Sequence, residues 1–238
     1  MEREYSYFST EDVKDKPASV KMDLEICELY YKVIEELLSK GDYENNIKII
    51  RRFLLLFSHS NNFQSEKQNS FKKTIVPKKQ LRELKQTFFY RILYIYWNGV
   101  CFSSAVACHF RTFLACSPGV LKEPKSKKNI RICSLGGGCL PDVIAMVKVL
   151  ESMADANEYI DIRVSVVDID KKWMITCITI LQTLEHFRNA TWEIDFTHAD
   201  FTKPLSSLVI DMIKNADIIS MMMLLPQVKG LKKRRRIV

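Results

Sequence analysis

Three consecutive glycines, Gly136-Gly137-Gly138, follow directly on an apolar run ending in Ser134-Leu135, in a chain with seven glycines in all. A turn of this kind between a strand and a helix leaves backbone amides unshielded by any Cβ and accepts positive φ at little cost. The pattern predicts a strand-to-helix turn at which the backbone approaches a ligand. A dinucleotide fingerprint, G-x-G-x-x-G, requires Gly or Ala at position 141 for close packing of helix on strand, and position 141 is Pro, which argues against NAD or FAD. No Gly-Lys-Ser/Thr follows, so the phosphate-binding loop of nucleotide hydrolases is excluded as well.

From residue 130 onward short apolar runs alternate with helix-period segments, the rhythm of parallel βαβ units. Strands are expected at 130–135, 162–167, 192–198 and 216–224. The helices between them are marked by Val143, Met146, Val147 and Leu150, by Trp173, Ile180, Leu184 and Phe187, and by Leu205, Leu208, Val209 and Met212. The expected fold class is α/β, a Rossmann-like parallel sheet that is incomplete at the C-terminus and carries an all-helical N-terminal cap. Open sheets of this type bind ligands at the C-terminal ends of their strands.

Ahead of the sheet the chain reads as helical. Leu24, Cys27, Tyr31, Ile34 and Leu38 recur at steps of three and four before Gly41, and Ile47, Ile50, Leu54 and Phe57 repeat the pattern. Residues 58–70 form a polar loop. A third helical region starts near Lys79, carries the aromatic run 88–97, is expected to break at Asn98-Gly99 and continues to Cys116. Residues 92–116 are the membrane candidate, but Asn98, His109 and Arg111 interrupt them. The apolar part falls short of the roughly 20 residues a span needs, so no membrane contact is expected and a buried helix is. The division that follows is a flexible arm at 1–20, a helical region at 21–120, a linker at 121–129, the Rossmann-like domain at 130–230 and a basic tail at 231–238.

The formal net charge is +8, and Lys232, Lys233, Arg234, Arg235 and Arg236 supply five of those charges. The body is only slightly basic, so global charge does not imply a polyanionic partner. Seven cysteines without a CxxC pair, behind the charged start Met1-Glu2-Arg3-Glu4, indicate a reducing intracellular compartment, cytoplasmic or nuclear. Cys101, Cys108, His109 and Cys116 match no common zinc spacing, so they are expected to be buried thiols and no metal is expected.

Three stations along the sheet carry the chemistry. Gly136, Gly137 and Gly138 end the first strand, Val166-Val167-Asp168 ends the second, and Thr197-His198-Ala199-Asp200-Phe201 ends the third. In this order the sequence resembles class I S-adenosylmethionine-dependent methyltransferases over residues 130–225. Gly136 and Gly138 match the first two glycines of the family's first motif, whereas Ser134 stands at its acidic position and Leu140 at its third glycine. Leu-Gly-Gly-Gly variants followed by an acidic residue make Asp142 a substitute carboxylate or a helix cap. The resemblance implies S-adenosylmethionine as cofactor, with Asp168 accepting from the ribose hydroxyls, Asp200 from the adenine amino group and Phe201 against the ring. Asp170 is read as the cap of the helix that follows. His198 is a candidate base, since positioning carries much of a methyl transfer and the catalytic residue is not otherwise indicated. The fourth strand lacks an Asn-Pro-Pro-Tyr ending, so methylation of an exocyclic base nitrogen is not indicated.

The resemblance implies three further strands that residues 230–238 do not supply, so the chain reads as truncated or as completed by a protein partner. The methyl acceptor is unspecified; Lys72, Lys73, Lys78, Lys79, Arg82 and Lys85 point toward RNA. Two other functions stay open: a non-catalytic interaction protein that keeps the fold, and a nucleic-acid-binding module whose contact, or nuclear import signal, is the basic tail.

Overall fold

The structure, a computed structural model, describes residues 18–39, 45–51, 87–117, 119–120, 129–153, 159–183, 190–222 and 224. The readings placed on residues 1–17, 58–70, 72–85, 121–128 and 232–236 lie outside the described residues, as do Leu54, Phe57, Leu184 and Phe187.

Four parallel strands, β1 (Asn129–Leu135), β2 (Ile160–Asp168), β3 (Ala190–His198) and β4 (Ile218–Ser220), form one sheet in the order β3-β2-β1-β4. The chain therefore steps outward from β1 to β3 and then returns to the other side of β1, which makes the β1–β4 boundary the point where strand order reverses. This is the expected α/β, Rossmann-like arrangement.

Side chains alternate between the two faces. Ile130, Ile132, Ile160, Ile162, Val164 and Val166 enter the main core with α4 (Pro141–Met153) and α5 (Trp173–Thr183), while Cys133, Leu135 and Val167 face Val209 of α6 (Ser207–Lys214). Pro141 begins α4, where its missing N–H is no loss. Ser206 caps α6 by accepting from the Val209 amide at 3.4 Å. α1 (Ala18–Ser39) buries Met22, Ile26, Leu29, Tyr30, Val33 and Leu37 into that main core, and a short α2 spans 45–51. Helical cap and sheet thus share one continuous apolar interior.

The helix that carries the aromatic run, α3 (Phe88–Cys116), is capped by Thr87, whose hydroxyl accepts from the Tyr90 amide at 3.2 Å; the expected start near Lys79 lies outside the described residues. It does not break at Asn98-Gly99: the helix widens into a π turn over Ile95–Gly99, and the Asn98 side-chain Nδ2 donates to the Tyr94 carbonyl at 3.2 Å. A Cβ at Gly99 would sit 2.9–3.1 Å from the Tyr30 ring, so glycine here serves close packing of α1 on α3. Nor is α3 a buried helix. It packs against α1 and α4, with only Ser103, Ala107 and Leu114 buried over Val100–Cys116. By length and composition it is long and apolar enough to cross a membrane, the only such helix among the described residues.

Two further expectations change. Cys101, Cys108 and Cys116 are exposed, whereas Cys133, Cys139 and Cys177 are the buried thiols. Ser103, Ala107 and Leu114 recur at helical spacing on the core side, and the three cysteines fall on the opposite side of the same helix. The fourth strand, expected over 216–224, is paired only at Ile218–Ser220, after which the chain turns and Leu224 comes back over Gly136.

Candidate functional site

The turn after β1 takes positive φ at alternate residues. Gly136 has φ +74°, Gly138 +28° and Leu140 +58°, and Leu140 is a fully buried leucine in a region that side chains with a Cβ avoid. It is held there by the Leu140 amide donating to the Gly137 carbonyl at 2.6 Å and by its own carbonyl accepting from Ile144 at 2.9 Å, the first bond into α4. Leu140 thus combines a left-handed backbone with a side chain that fills the core.

The chain's own side chains close around the glycines. A Cβ on Gly137 would collide with Ser134 Oγ, one on Gly138 would come within 3.3 Å of the Trp173 indole, and one on Gly136 within 3.1 Å of Leu224. Trp173 in turn meets Tyr94 of α3 edge to face, ring centres 5.7 Å apart. From the cap, the Tyr30 hydroxyl donates to the Cys139 carbonyl at 3.1 Å and shares a 3.3 Å hydrogen bond with Ser103. Burial raises the Tyr30 phenol well above its usual range, so it stays a neutral donor. The Cys177 thiol donates to the Gly138 carbonyl at 3.3 Å, and burial raises it too.

Two carboxylates sit beneath and beside the turn. Asp142, in the first turn of α4 and 1% exposed, accepts from Ser134 Oγ at 2.6 Å through Oδ2, while its Oδ1 is buried without a partner. Asp168 closes β2 and is 7% exposed. Its Oδ2 accepts from the Gly138 amide at 3.1 Å and its Oδ1 from the Asp170 amide at 2.9 Å. Desolvation pushes the Asp168 carboxyl above its usual range, partly opposed by the amides of Asp170 and Gly138. Its carbonyl accepts from the Ala199 amide at 3.0 Å, tying the ends of β2 and β3.

Asp170 accepts from the Lys172 amide at 3.0 Å through its side chain and from the Trp173 amide at 3.1 Å through its carbonyl, the capping role expected of it. Asp200 lies past β3 at the same edge, but its Oδ1 is engaged by the Thr202 amide at 2.9 Å and hydroxyl at 2.6 Å, with Lys203 at 3.7 Å from Oδ2. Phe201 packs against the apolar cluster under α6. His198 ends β3 with its side chain exposed. The structure therefore joins Gly136–Gly138 and Asp168 by a direct hydrogen bond and leaves Asp200 and Phe201 in local contacts of their own.

Sequence reasoning passed over Arg91. It is 6% exposed, its Nη1 reaches the Thr87 carbonyl at 3.4 Å, and its Nε is buried without a partner. A single cation inside the run Phe88-Phe89-Tyr90-Arg91-Ile92-Leu93 was the available signal. Elsewhere, a cavity of about 880 Å³ lined by Glu25, Glu28, Glu35 and Lys148 lies among α1, α4 and α5, and one of about 290 Å³ lies under α6 beside Arg131 and Arg163. Neither has the glycine turn in its lining. Among the described residues, no group of three or more His, Cys, Asp or Glu side chains could hold a metal ion.

Comparison of the sequence with protein-family models and with curated proteins gives no match.

Proposed function

We propose that the chain is a methyltransferase-like protein that binds S-adenosylmethionine at the C-terminal edge of the sheet. The observation that carries this reading is the bond from the Gly138 amide to Asp168, which fixes a carboxylate beside a glycine turn where strand order reverses. Asp168 suits the ribose hydroxyls because an ionised carboxylate has about four acceptor positions, of which two are used. Asp142 supports the reading from below: it brings a carboxylate to Ser134, the position where an acidic residue would otherwise stand. When bound, the cofactor would supply a sulfonium-borne methyl group for in-line transfer to a nucleophile. The residues at the edge would orient it, and the acceptor class is a proposal only for RNA.

The test is thermal stabilisation by S-adenosylhomocysteine. A ligand at a hundredfold excess over Kd adds about 2.7 kcal/mol, roughly 5–10 °C for a chain of this size. Asp168→Ala is expected to abolish the shift. Because only the ionised carboxylate accepts from both hydroxyls, the shift should also fade on acidification, with a midpoint above the ordinary Asp value since burial raises this group. Absence of a shift at millimolar ligand, or a shift that Asp168→Ala leaves intact, contradicts the proposal.

Three observations favour a second reading, a non-catalytic interaction protein on the same fold. Asp200 and Phe201 are engaged in local contacts, Leu224 covers Gly136, and the outer edge of β4 pairs with no strand among the described residues. On this reading a protein partner adds to that edge, flanked by exposed Ile219 and Met221. Ligand binding without methylation of RNA, protein or small molecules would favour it.

A further inference from the structure

We infer that Arg91 is an oxyanion-binding residue of this site, its guanidinium placed to take a carboxylate or phosphate group carried by the bound ligand. The inference rests on reading the glycine edge as a ligand site.

A guanidinium brings five N–H donors and a permanent charge, and burying it is costly unless an anion or several acceptors compensate. Arg91 is nine-tenths buried and has one long bond, to the Thr87 carbonyl at 3.4 Å. Its Nε has no acceptor, and the Phe88 ring lies 5.9 Å from the guanidinium carbon. No carboxylate among the described residues forms an ion pair with it. Lys148 shows how the same molecule treats a structural cation: it is paired with both Glu25 and Glu151, at 3.1 and 3.4 Å.

Position connects Arg91 to the site. It precedes Tyr94 by three residues, hence on one side of α3, and Tyr94 meets Trp173, which covers Gly138. Burial lowers the Arg91 guanidinium from its usual range, partly opposed by the field of Asp170, two residues beyond Asp168. The edge thus offers an acceptor for hydroxyls in Asp168 and a donor fork for an oxyanion in Arg91. The planar fork fits carboxylate or phosphate through two parallel hydrogen bonds, which a lysine would not reproduce.

Two probes, used on the full chain, separate the sources of the oxyanion. Inorganic phosphate, followed by its phosphorus resonance, is expected to broaden with the wild-type protein and not with Arg91→Met, which keeps the aliphatic stem. S-adenosylhomocysteine and 5′-methylthioadenosine, which lacks the amino-acid portion, are titrated in parallel. If the ligand's carboxylate is the partner, Arg91→Met weakens S-adenosylhomocysteine by roughly tenfold to a hundredfold and leaves methylthioadenosine unchanged. Loss of the phosphate effect alone, with both nucleosides unchanged, assigns a phosphate-bearing ligand. Arg91→Lys keeps the charge and loses the fork, and is expected to fall between; it carries the test if Arg91→Met does not fold. If neither nucleoside binds the wild type, the methyl-donor reading fails while the phosphate arm still decides Arg91. Equal phosphate broadening in wild type and variant, or none in either, together with no nucleoside difference between them, overturns the inference.

Discussion

A single hydroxyl, that of Ser134, ties the end of β1 to Asp142 at the start of α4. Among the described residues, the Oγ–Oδ2 bond of 2.6 Å is the only hydrogen bond to a carboxyl group that is 1% exposed and whose second oxygen is already without a partner. Ser134→Ala would leave that buried oxygen without its donor, at a cost of about 1–3 kcal/mol. Urea unfolding is the check. An effect under half a kcal/mol would mean that water reaches Asp142 and that the pair does not brace the turn. At this scale the sequence was informative about glycine and silent about its neighbours. Gly136, Gly137 and Gly138 announce a turn by their clustering, but which side chains fill the space beside them is decided by tertiary contacts of Ser134, Trp173 and Leu224.

Among the elements, β1, β2 and their helices were legible because each carries an apolar run of the right length and a clear stop. β4 was not, because the run continues through Met221 and Met222 after its pairing with β1 has ended at Ser134↔Ser220. A run of methionines records apolarity, not where a neighbouring strand stops. α3 misled for a related reason: over Val100–Cys116 the polar residues Ser103, Ser104, His109, Arg111 and Thr112 are spread around the helix, so no stripe told which side faces the core. Its orientation now makes a prediction about thiols. Cys27, Cys101, Cys108 and Cys116 should react with iodoacetamide in the native protein, while Cys133, Cys139 and Cys177 should react only after unfolding. Burial also keeps that second set protonated, Cys133 being pushed up to about 11. Mass spectrometry of alkylated peptides distinguishes the sets. Protection of Cys101, Cys108 and Cys116 would contradict the orientation of α3.

Across the whole molecule, the cap and the sheet belong to one apolar interior, and the cap reaches the site directly. Tyr30 of α1 holds the Cys139 carbonyl, Gly99 of α3 makes room for Tyr30, and Tyr94 backs Trp173. The sequence distinguished a helical half from an α/β half but carried no sign that the first props the turn of the second, since these contacts join residue 30 to residue 139 and residue 94 to residue 173. The order of Gly136–Gly138, Asp168 and Asp200 along one edge was legible; the bond that joins the first two, and the local engagement of Asp200, were not. The most direct measurement is isothermal titration of the full chain with S-adenosylhomocysteine at neutral pH, with NAD as a control. Saturable binding of one S-adenosylhomocysteine per chain and none of NAD is the predicted result; no binding of S-adenosylhomocysteine at millimolar concentration, or equal binding of both, would contradict it.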